Sequence, residues 1–372
     1  MGYKIDFRSR LVNLWIRALK RFGIPKKVIA TTSPKKILVI STTGIGDTLW
    51  GTPALSLLKK NFPNSHLAVL TSPLGFQILK NNPNIDEHFL IKRAGLSLFP
   101  LYFKLKRKRF DTIFVFHISF RWIIPFCYFL APQKLIGFKR HAKAFAHLLS
   151  EPFEVGFRHP ILQRLSLIQA VGVKGEDHQV KLFLTQKENK SADTFIKTHK
   201  LDHAPLLVGL QPGASQPFKQ WPISHFILLA KKLSENLNAQ IVVFGNKAEA
   251  PLAKAINQVV PVTIASGKLP LRESTALISK MNLFITNDTG PMHLALAQKI
   301  PLVSIFSPTA HDLCWPHLEA PWFRLMVKPK TCETCIGHRC RKPYCMERII
   351  PDEVFQKVEE LLPLARGEIA IK

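Results

Sequence analysis

Acidic residues are scarce in this sequence: Asp and Glu number 25 against 52 Lys and Arg, which leaves a formal net charge of +27 over 372 residues. That excess excludes an acidic, solvating chain and calls for an anionic partner, whether nucleic acid, a phosphorylated small molecule or a membrane of anionic lipids. Cysteine is scarce too. Four of the six lie between residues 332 and 345, too few and too local for a disulfide framework across a chain this long, so a reducing compartment fits. No run reaches the ~18 uninterrupted apolar residues of a spanning helix. The most apolar stretch, Phe110 to Leu130, is broken by Asp111, His117, Arg121 and Pro125. Lys4, Asp6, Arg8 and Arg10 precede any apolar block, and the next block contains Arg17, Lys20 and Arg21, a pattern unlike a secretory signal. A cytoplasmic protein is expected. With 47% hydrophobic and 21% charged residues and no low-complexity segment, the chain is neither disordered, collagen-like nor a coiled coil. Its length predicts two domains.

The first 36 residues hold ten basic side chains and one acid. At ~100° per residue, Phe7, Leu11, Leu14, Trp15, Ala18, Leu19 and Phe22 fall on one side of a helix and Arg10, Asn13, Arg17, Lys20 and Arg21 on the other. Such a helix suits either the interface of an anionic bilayer or a dock on its own domain. From Lys36 the pattern becomes strand, glycine loop, helix: Ile37 to Ser41, then Thr42-Thr43-Gly44, then Thr52 to Lys60. Strands at His66–Leu70, Ile85–Ile91 and Thr112–His117 continue the alternation. The rhythm restarts after a polar stretch with strands at Leu206–Gln211, Gln240–Phe244, Val262–Ala265, Leu283–Thr286 and Leu302–Phe306, separated by helices. Alternating strands and helices predict two α/β domains with parallel sheets. The expected division is a basic N-terminal extension over 1–35, a first domain over 36–175, a linker over 176–204, a second domain over 205–350 with a Cys-rich tail, and a helix over 351–372.

Open parallel sheets bind ligands at the carboxyl ends of their strands, so the loops after Ile40, Leu210, Phe244 and Thr286 matter most. The first, Ser41 to Thr48, carries Gly44, Gly46 and Asp47 but lacks both the lysine of a P-loop and the third glycine of a dinucleotide fingerprint. Asp47 suits a helix cap or a catalytic carboxylate. The loop Gln211 to Pro222 holds Lys219 among small residues and prolines, placed to meet an anion or simply to be solvated. Residues Thr286 to Leu294 set small residues at a helix start, where backbone N–H groups and the helix dipole favour phosphate. Asp288 there could cap the helix, and His293 could touch ligand or fill the core.

These motifs form an ordered set: GIGDTLWGTPALSLLK at 44 to 59, FDTIFVFH at 110 to 117, LIGFKR at 135 to 140, QPGASQPFKQWPISHFILLAKKL at 211 to 233, and FITNDTGPMHLALAQKIPLVSIFSPT at 284 to 309. Together they resemble glycosyltransferase family 9, the heptosyltransferases of lipopolysaccharide core assembly, over about residues 36 to 350. The resemblance implies the GT-B architecture, two Rossmann-like domains facing each other across a cleft, with acceptor on the first and nucleotide on the second. It implies an inverting, metal-independent transfer of heptose from ADP-heptose to a Kdo-bearing lipid A acceptor at the cytoplasmic face of the inner membrane, with no cofactor. Asp47 then matches the general base, on an acceptor-side loop with Thr43, Gly44 and Gly46. Lys219 matches the lysine on the donor diphosphate, beside Ala214 and Ser215. Thr289, Gly290 and His293 match the diphosphate loop, Asp288 its first acidic residue, and Glu249 a ribose-binding glutamate.

The chemistry agrees with that assignment. Without a DxD-like acidic pair to hold a metal, departing diphosphate charge falls to Lys219 and the N–H groups near residue 289. The clusters Lys104 to Arg109 and Lys134 to Lys143 suit an anionic acceptor or are solvated loops. Cys332, Cys335, Cys340 and Cys345 are dense enough for a structural zinc knuckle, with reduced thiols or a local disulfide as alternatives. Cys127 and Cys314 read as lone core residues. Nucleic acid is not expected as a partner, since no RNA- or DNA-binding signature accompanies the charge. Another nucleotide-sugar donor, or a non-catalytic nucleotide-sugar binder, would share the same fold.

Overall fold

The computed structural model describes residues 7–21, 33–91, 98–117, 122–154, 159–308, 320–330, 332–333, 340 and 343–370. The chain divides into two compact units, Met1–Phe183 and Leu184–Lys372.

Unit 1 is built on six parallel strands: β1 Lys36–Ser41, β2 His66–Thr71, β3 Glu87–Leu90, β4 Thr112–Val115, β5 Lys134–Phe138 and β6 Glu151–Phe153. Their order is β3-β2-β1-β4-β5-β6. The central strands are apolar on both faces, as a sheet covered on both sides demands. Asp111 fixes the entry to this sheet. Its carboxylate accepts the Lys35 and Lys36 amides at 2.9 and 2.7 Å and the Thr112 hydroxyl at 2.8 Å.

Unit 2 repeats the plan with β7 Leu207–Gln211, β8 Gln240–Val243, β9 Thr263–Ile264, β10 Leu283–Asn287, β11 Leu302–Phe306 and β12 Phe323–Val327. All neighbours are parallel, in the order β12-β11-β10-β7-β8-β9. Read from the other edge, this is the strand order of unit 1. In both units the order reverses between the first and fourth strands, the switch point at which open α/β sheets hold ligands. The core of unit 2 centres on Trp221, fully buried, whose indole N–H donates to the Ile349 carbonyl at 2.8 Å and so ties the C-terminal segment to the sheet.

Several expectations change here. The stretch 176–204, read as a linker, holds a 13-residue helix, Gln186–Thr198, that packs on the Leu271–Ile278 helix of unit 2. A capping box between Thr185 and Glu188 starts it, and Glu188 reaches Arg272 at 2.5 Å. Only Ala192 and Phe195 are buried, so apolar periodicity could not reveal it. The C-terminal segment is two short helices, Pro351–Glu359 and Leu362–Ala365, rather than one. The basic clusters lie on ordered elements instead of loops: Lys104 to Lys108 end the helix Leu98–Lys108, and Lys134 begins β5, whose Leu135, Ile136 and Phe138 are buried.

The N-terminal helix, Phe7–Arg21, docks on unit 1 through Ile16, fully buried, and Val12, while Asn13 donates to the Ala144 carbonyl at 3.1 Å. That is not the apolar face expected from spacing: Leu11, Leu14 and Trp15 of that face are 50%, 61% and 59% exposed. Phe22, Cys314 and Cys335 lie outside the described residues. Cys332 is exposed, Cys340 and Cys345 half-buried, and Cys127 buried. Among the described residues no three His, Cys, Asp or Glu side chains cluster as a metal site would require.

Candidate active site

In unit 1 the β1 strand runs into Thr43 and Gly44 and then the helix Ile45–Leu49, which carries Asp47. Gly44 is exposed, with open space where a side chain would stand, and its carbonyl accepts the Thr48 amide at 3.1 Å. The Gly46 carbonyl accepts the Trp50 amide at 2.9 Å, and the Thr43 carbonyl accepts the Ser72 hydroxyl at 3.3 Å. Across the switch point, β4 ends at Val115 and delivers His117. Its Nε2 lies 3.6 Å from Asp47 Oδ1.

Arg164 makes the third member of this group. It sits on the helix Pro160–Gln169, which His159 caps by accepting the Ile161 amide at 3.2 Å. The guanidinium is 3% exposed, donates to the Pro160 carbonyl at 2.8 Å, and reaches Asp47 Oδ1 at 3.5 Å. Burial lowers it from its usual value to about 10, against the pull of Asp47, so it remains a cation at neutral pH. Both partners address Oδ1. Among the described residues Oδ2 of Asp47 accepts no hydrogen bond and is left for an incoming group. His141 stands behind His117, ring centroids 5.7 Å apart. Burial drives its imidazole down to about 4, with His117, Arg140 and Arg164 adding to the effect and Asp47 opposing it, so His141 is neutral at pH 7.

In unit 2 the equivalent switch point lies between β7 and β10. Lys219, on the loop after β7, puts its ammonium 2.5 Å from Asp288 Oδ2 at the end of β10. Asn287, fully buried, clamps the two loops together. Its amide donates to the Pro212 carbonyl at 2.8 Å and its carbonyl accepts the Trp221 amide at 3.1 Å. Asp288 takes one of the three ammonium protons of Lys219 and fixes where the others point. Thr289 and Gly290 then open the helix Gly290–Ala297 with no side-chain cap hydrogen bond, and Pro291 follows without an N–H of its own. His293 is buried in the first turn of that helix.

The β8 loop completes this site. Gly245 takes φ +153°, a conformation few side chains tolerate, and turns the chain into Asn246. Glu249 then accepts the Asn246 amide at 2.8 Å and the Gln211 side-chain amide at 3.3 Å, which brings it beside the β7 loop. Gly213 allows this approach, because a Cβ there would stand 2.1 Å from Glu249 Oε1. Ala214 is half-buried and Ser215 exposed on the same loop. The structure therefore gathers Lys219, Glu249, Asp288, Thr289 and Gly290 around adjacent strand ends of unit 2, and Asp47 with its glycine loop in unit 1.

Sequence reasoning missed Arg164, His117, His141 and Asn287 as site residues. A signal existed for Arg164: it shares the buried face of its helix with Ile161, Leu165 and Ile168, and a charge on an apolar stripe needs a buried partner.

The chain matches the sequence profile of glycosyltransferase family 9 (heptosyltransferase) over residues 99–341. It is 26% identical over 343 residues to lipooligosaccharide heptosyltransferase 2 of Campylobacter jejuni, covering 88% of this chain and 98% of that one. To lipopolysaccharide heptosyltransferase 3 of Escherichia coli it is 29% identical over 307 residues, covering 76% and 85%. Its fold is similar to that of a glycosyl transferase family 9 protein from Veillonella parvula, with a TM-score of 0.77 at 22% identity, covering 90% of this chain and 98% of that chain. It is also similar to E. coli ADP-heptose LPS heptosyltransferase II, with a TM-score of 0.72 at 20% identity, covering 90% and 100%. The two Rossmann-like units are thus those of the GT-B fold.

Proposed function

The chain belongs to glycosyltransferase family 9 and is a glycosyltransferase, and from that premise we propose that it transfers a heptose from ADP-heptose to the inner core of lipopolysaccharide, on Kdo-lipid A or heptosyl-Kdo-lipid A, with inversion and without a metal. The relatives support the sugar and the acceptor class, since both the C. jejuni and the E. coli proteins are named as heptosyltransferases of lipooligosaccharide or lipopolysaccharide. The observation that carries the reading is the matched chemistry of the two switch points. Unit 1 presents a carboxylate with one oxygen held and the other open, and unit 2 presents a positioned ammonium beside a helix start.

In this reaction the acceptor hydroxyl gives its proton to Asp47 Oδ2 as its oxygen bonds to the anomeric carbon. Arg164 and His117 hold Oδ1, which fixes the direction of the open oxygen. The bond from the anomeric carbon to the β-phosphate oxygen breaks on the opposite face, and ADP leaves with the bonding pair. Lys219 and the N–H groups of Thr289 and Gly290 receive the charge that develops on the diphosphate. Glu249 is set to accept hydrogen bonds from the ribose hydroxyls.

The test is calorimetric titration of ADP, UDP and GDP in EDTA, with turnover of ADP-heptose on a Kdo-bearing lipid A acceptor. ADP should bind selectively. Lys219→Ala should weaken it by about 1 to 3 kcal/mol, the range for a charge-assisted hydrogen bond. Asp47→Ala should abolish turnover and leave ADP affinity intact. Preference for UDP would overturn the donor, and full turnover by Asp47→Ala would remove the base.

A further inference from the structure

The N-terminal helix is attached to unit 1 through Ile16, Val12 and Asn13, and three large apolar side chains beside them are left largely uncovered. Leu11, Leu14 and Trp15 are each at least half exposed, although burying them on unit 1 would have stabilised the fold. A second helix has the same character. On Leu98–Lys108 the side chains Phe99 and Phe103, one turn apart, are 65% and 57% exposed while Leu105 is buried. The two helices meet at Phe129. Trp15 packs at a tilt against its ring, centroids 5.5 Å apart, and the Tyr102 hydroxyl and Lys106 ammonium donate to its carbonyl at 3.0 and 2.7 Å. Five large exposed hydrophobic side chains thus belong to one neighbourhood of one unit, more than scattered surface residues explain.

Cations border both rows. Arg17 and Arg21 follow Leu14 at three and seven residues, on its flank of the helix, and both are exposed. Arg107 follows Phe103 at four, also exposed, and the exposed Lys104 adjoins it. None of Arg17, Arg21 and Arg107 forms an ion pair among the described residues. The sequence around the first helix adds Lys4, Arg8, Arg10, Lys26 and Lys27 against the lone Asp6.

We propose that the exposed rows of the Phe7–Arg21 and Leu98–Lys108 helices form one surface by which unit 1 docks on an anionic phospholipid bilayer, with Leu11, Leu14, Trp15, Phe99 and Phe103 entering the headgroup boundary. Charge complementarity selects this occupant. Aromatic and leucine side chains flanked by Lys and Arg are the pattern of helices that lie in such an interface. A second copy of the chain would set these cations against one another. Insertion here is shallow, because no helix among the described residues is long and apolar enough to cross a membrane. The inference is independent of the sugar chemistry.

It is tested with the full chain by cosedimentation with phosphatidylcholine vesicles, with and without phosphatidylglycerol, none carrying a saccharide. Wild type should bind only the anionic vesicles and be released by raised salt. The double variants Leu14→Glu/Trp15→Glu and Phe99→Glu/Phe103→Glu should each lower the partition constant by about tenfold or more. Arg17→Glu/Arg21→Glu should weaken binding too, and Leu228→Glu, an exposed leucine of unit 2, should leave it unchanged. Wild type remaining in the supernatant with anionic vesicles overturns the proposal, as does either apolar double variant binding like wild type. A lipid-free dimer that Leu14→Glu/Trp15→Glu dissociates would assign the surface to a second copy instead.

Discussion

At the scale of residues, each candidate site holds one atom in place and leaves another open. Asp47 spends Oδ1 on Arg164 and His117, and Lys219 spends one proton on Asp288. Gly213 shows how little room this leaves. In Gly213→Ala the new methyl would occupy the place of Glu249 Oε1, and since Glu249 ends a flexible side chain it would swing away rather than unfold the loop. Stability should fall by less than about 1 kcal/mol, the scale of an exposed cap interaction. ADP affinity should drop about tenfold, as expected for one lost hydrogen bond to the ribose. Unchanged affinity by calorimetry would take Glu249 out of the site. Asp47, Lys219 and Asp288 were legible because each follows a strand in a loop of small residues. Arg164 was not, since a helix in the middle of the chain gives no hint of which loop its charge will meet.

At the scale of elements, the helix Gln186–Thr198 shows how tertiary contact can create an element that sequence periodicity leaves blank. Its attachment to the Leu271–Ile278 helix rests on Glu188 and Arg272, which are 12% and 5% exposed, with the Ser191 hydroxyl donating to Glu273 at 2.5 Å. Burial alone would raise the Glu188 carboxyl, but the hydrogen bonds from Arg272 and Thr185 outweigh it and hold it at about 2. Glu188→Ala would strip Arg272 of its counter-charge and remove the capping box. Urea unfolding of this variant should report a loss of about 3 kcal/mol, the scale for a buried pair broken from one side. A change under about 1 kcal/mol would mean that water reaches Arg272 freely. The strands β1, β2, β7, β8, β10 and β11 could be read in advance because their apolar runs are unbroken. β5 was hidden by the basic residues at its ends.

At the scale of the whole molecule, the two units should respond to acid in sequence. His141 of unit 1 has a folded value of about 4 against 6.5, so between those limits the unfolded state binds more protons and stability falls as pH falls. Discounted for its partial exposure, the loss is about 1 to 2 kcal/mol. Glu188 of unit 2 acts lower, its contribution being present above 4.5 and lost toward about 2. Amide hydrogen exchange followed by mass spectrometry should show unit 1 loosening between pH 6.5 and 4 while unit 2 stays protected, and His141→Phe should flatten that response. Simultaneous loosening of both units would show that other groups dominate.

The sequence by itself determined two rounds of strand, loop and helix, the glycine-rich loops at strand ends, the surplus of cations and the family. Each of these is local or compositional, written in spacings of a few residues. The tertiary structure alone decided that β4 lies beside β1 and β10 beside β7. On that order depends the meeting of Asp47 with His117 and with Arg164, 117 residues away, and of Lys219 with Asp288, 69 residues away. It also decided which edge of the N-terminal helix is buried, because docking is set by the surface of the partner element and not by the width of the helix's own apolar face.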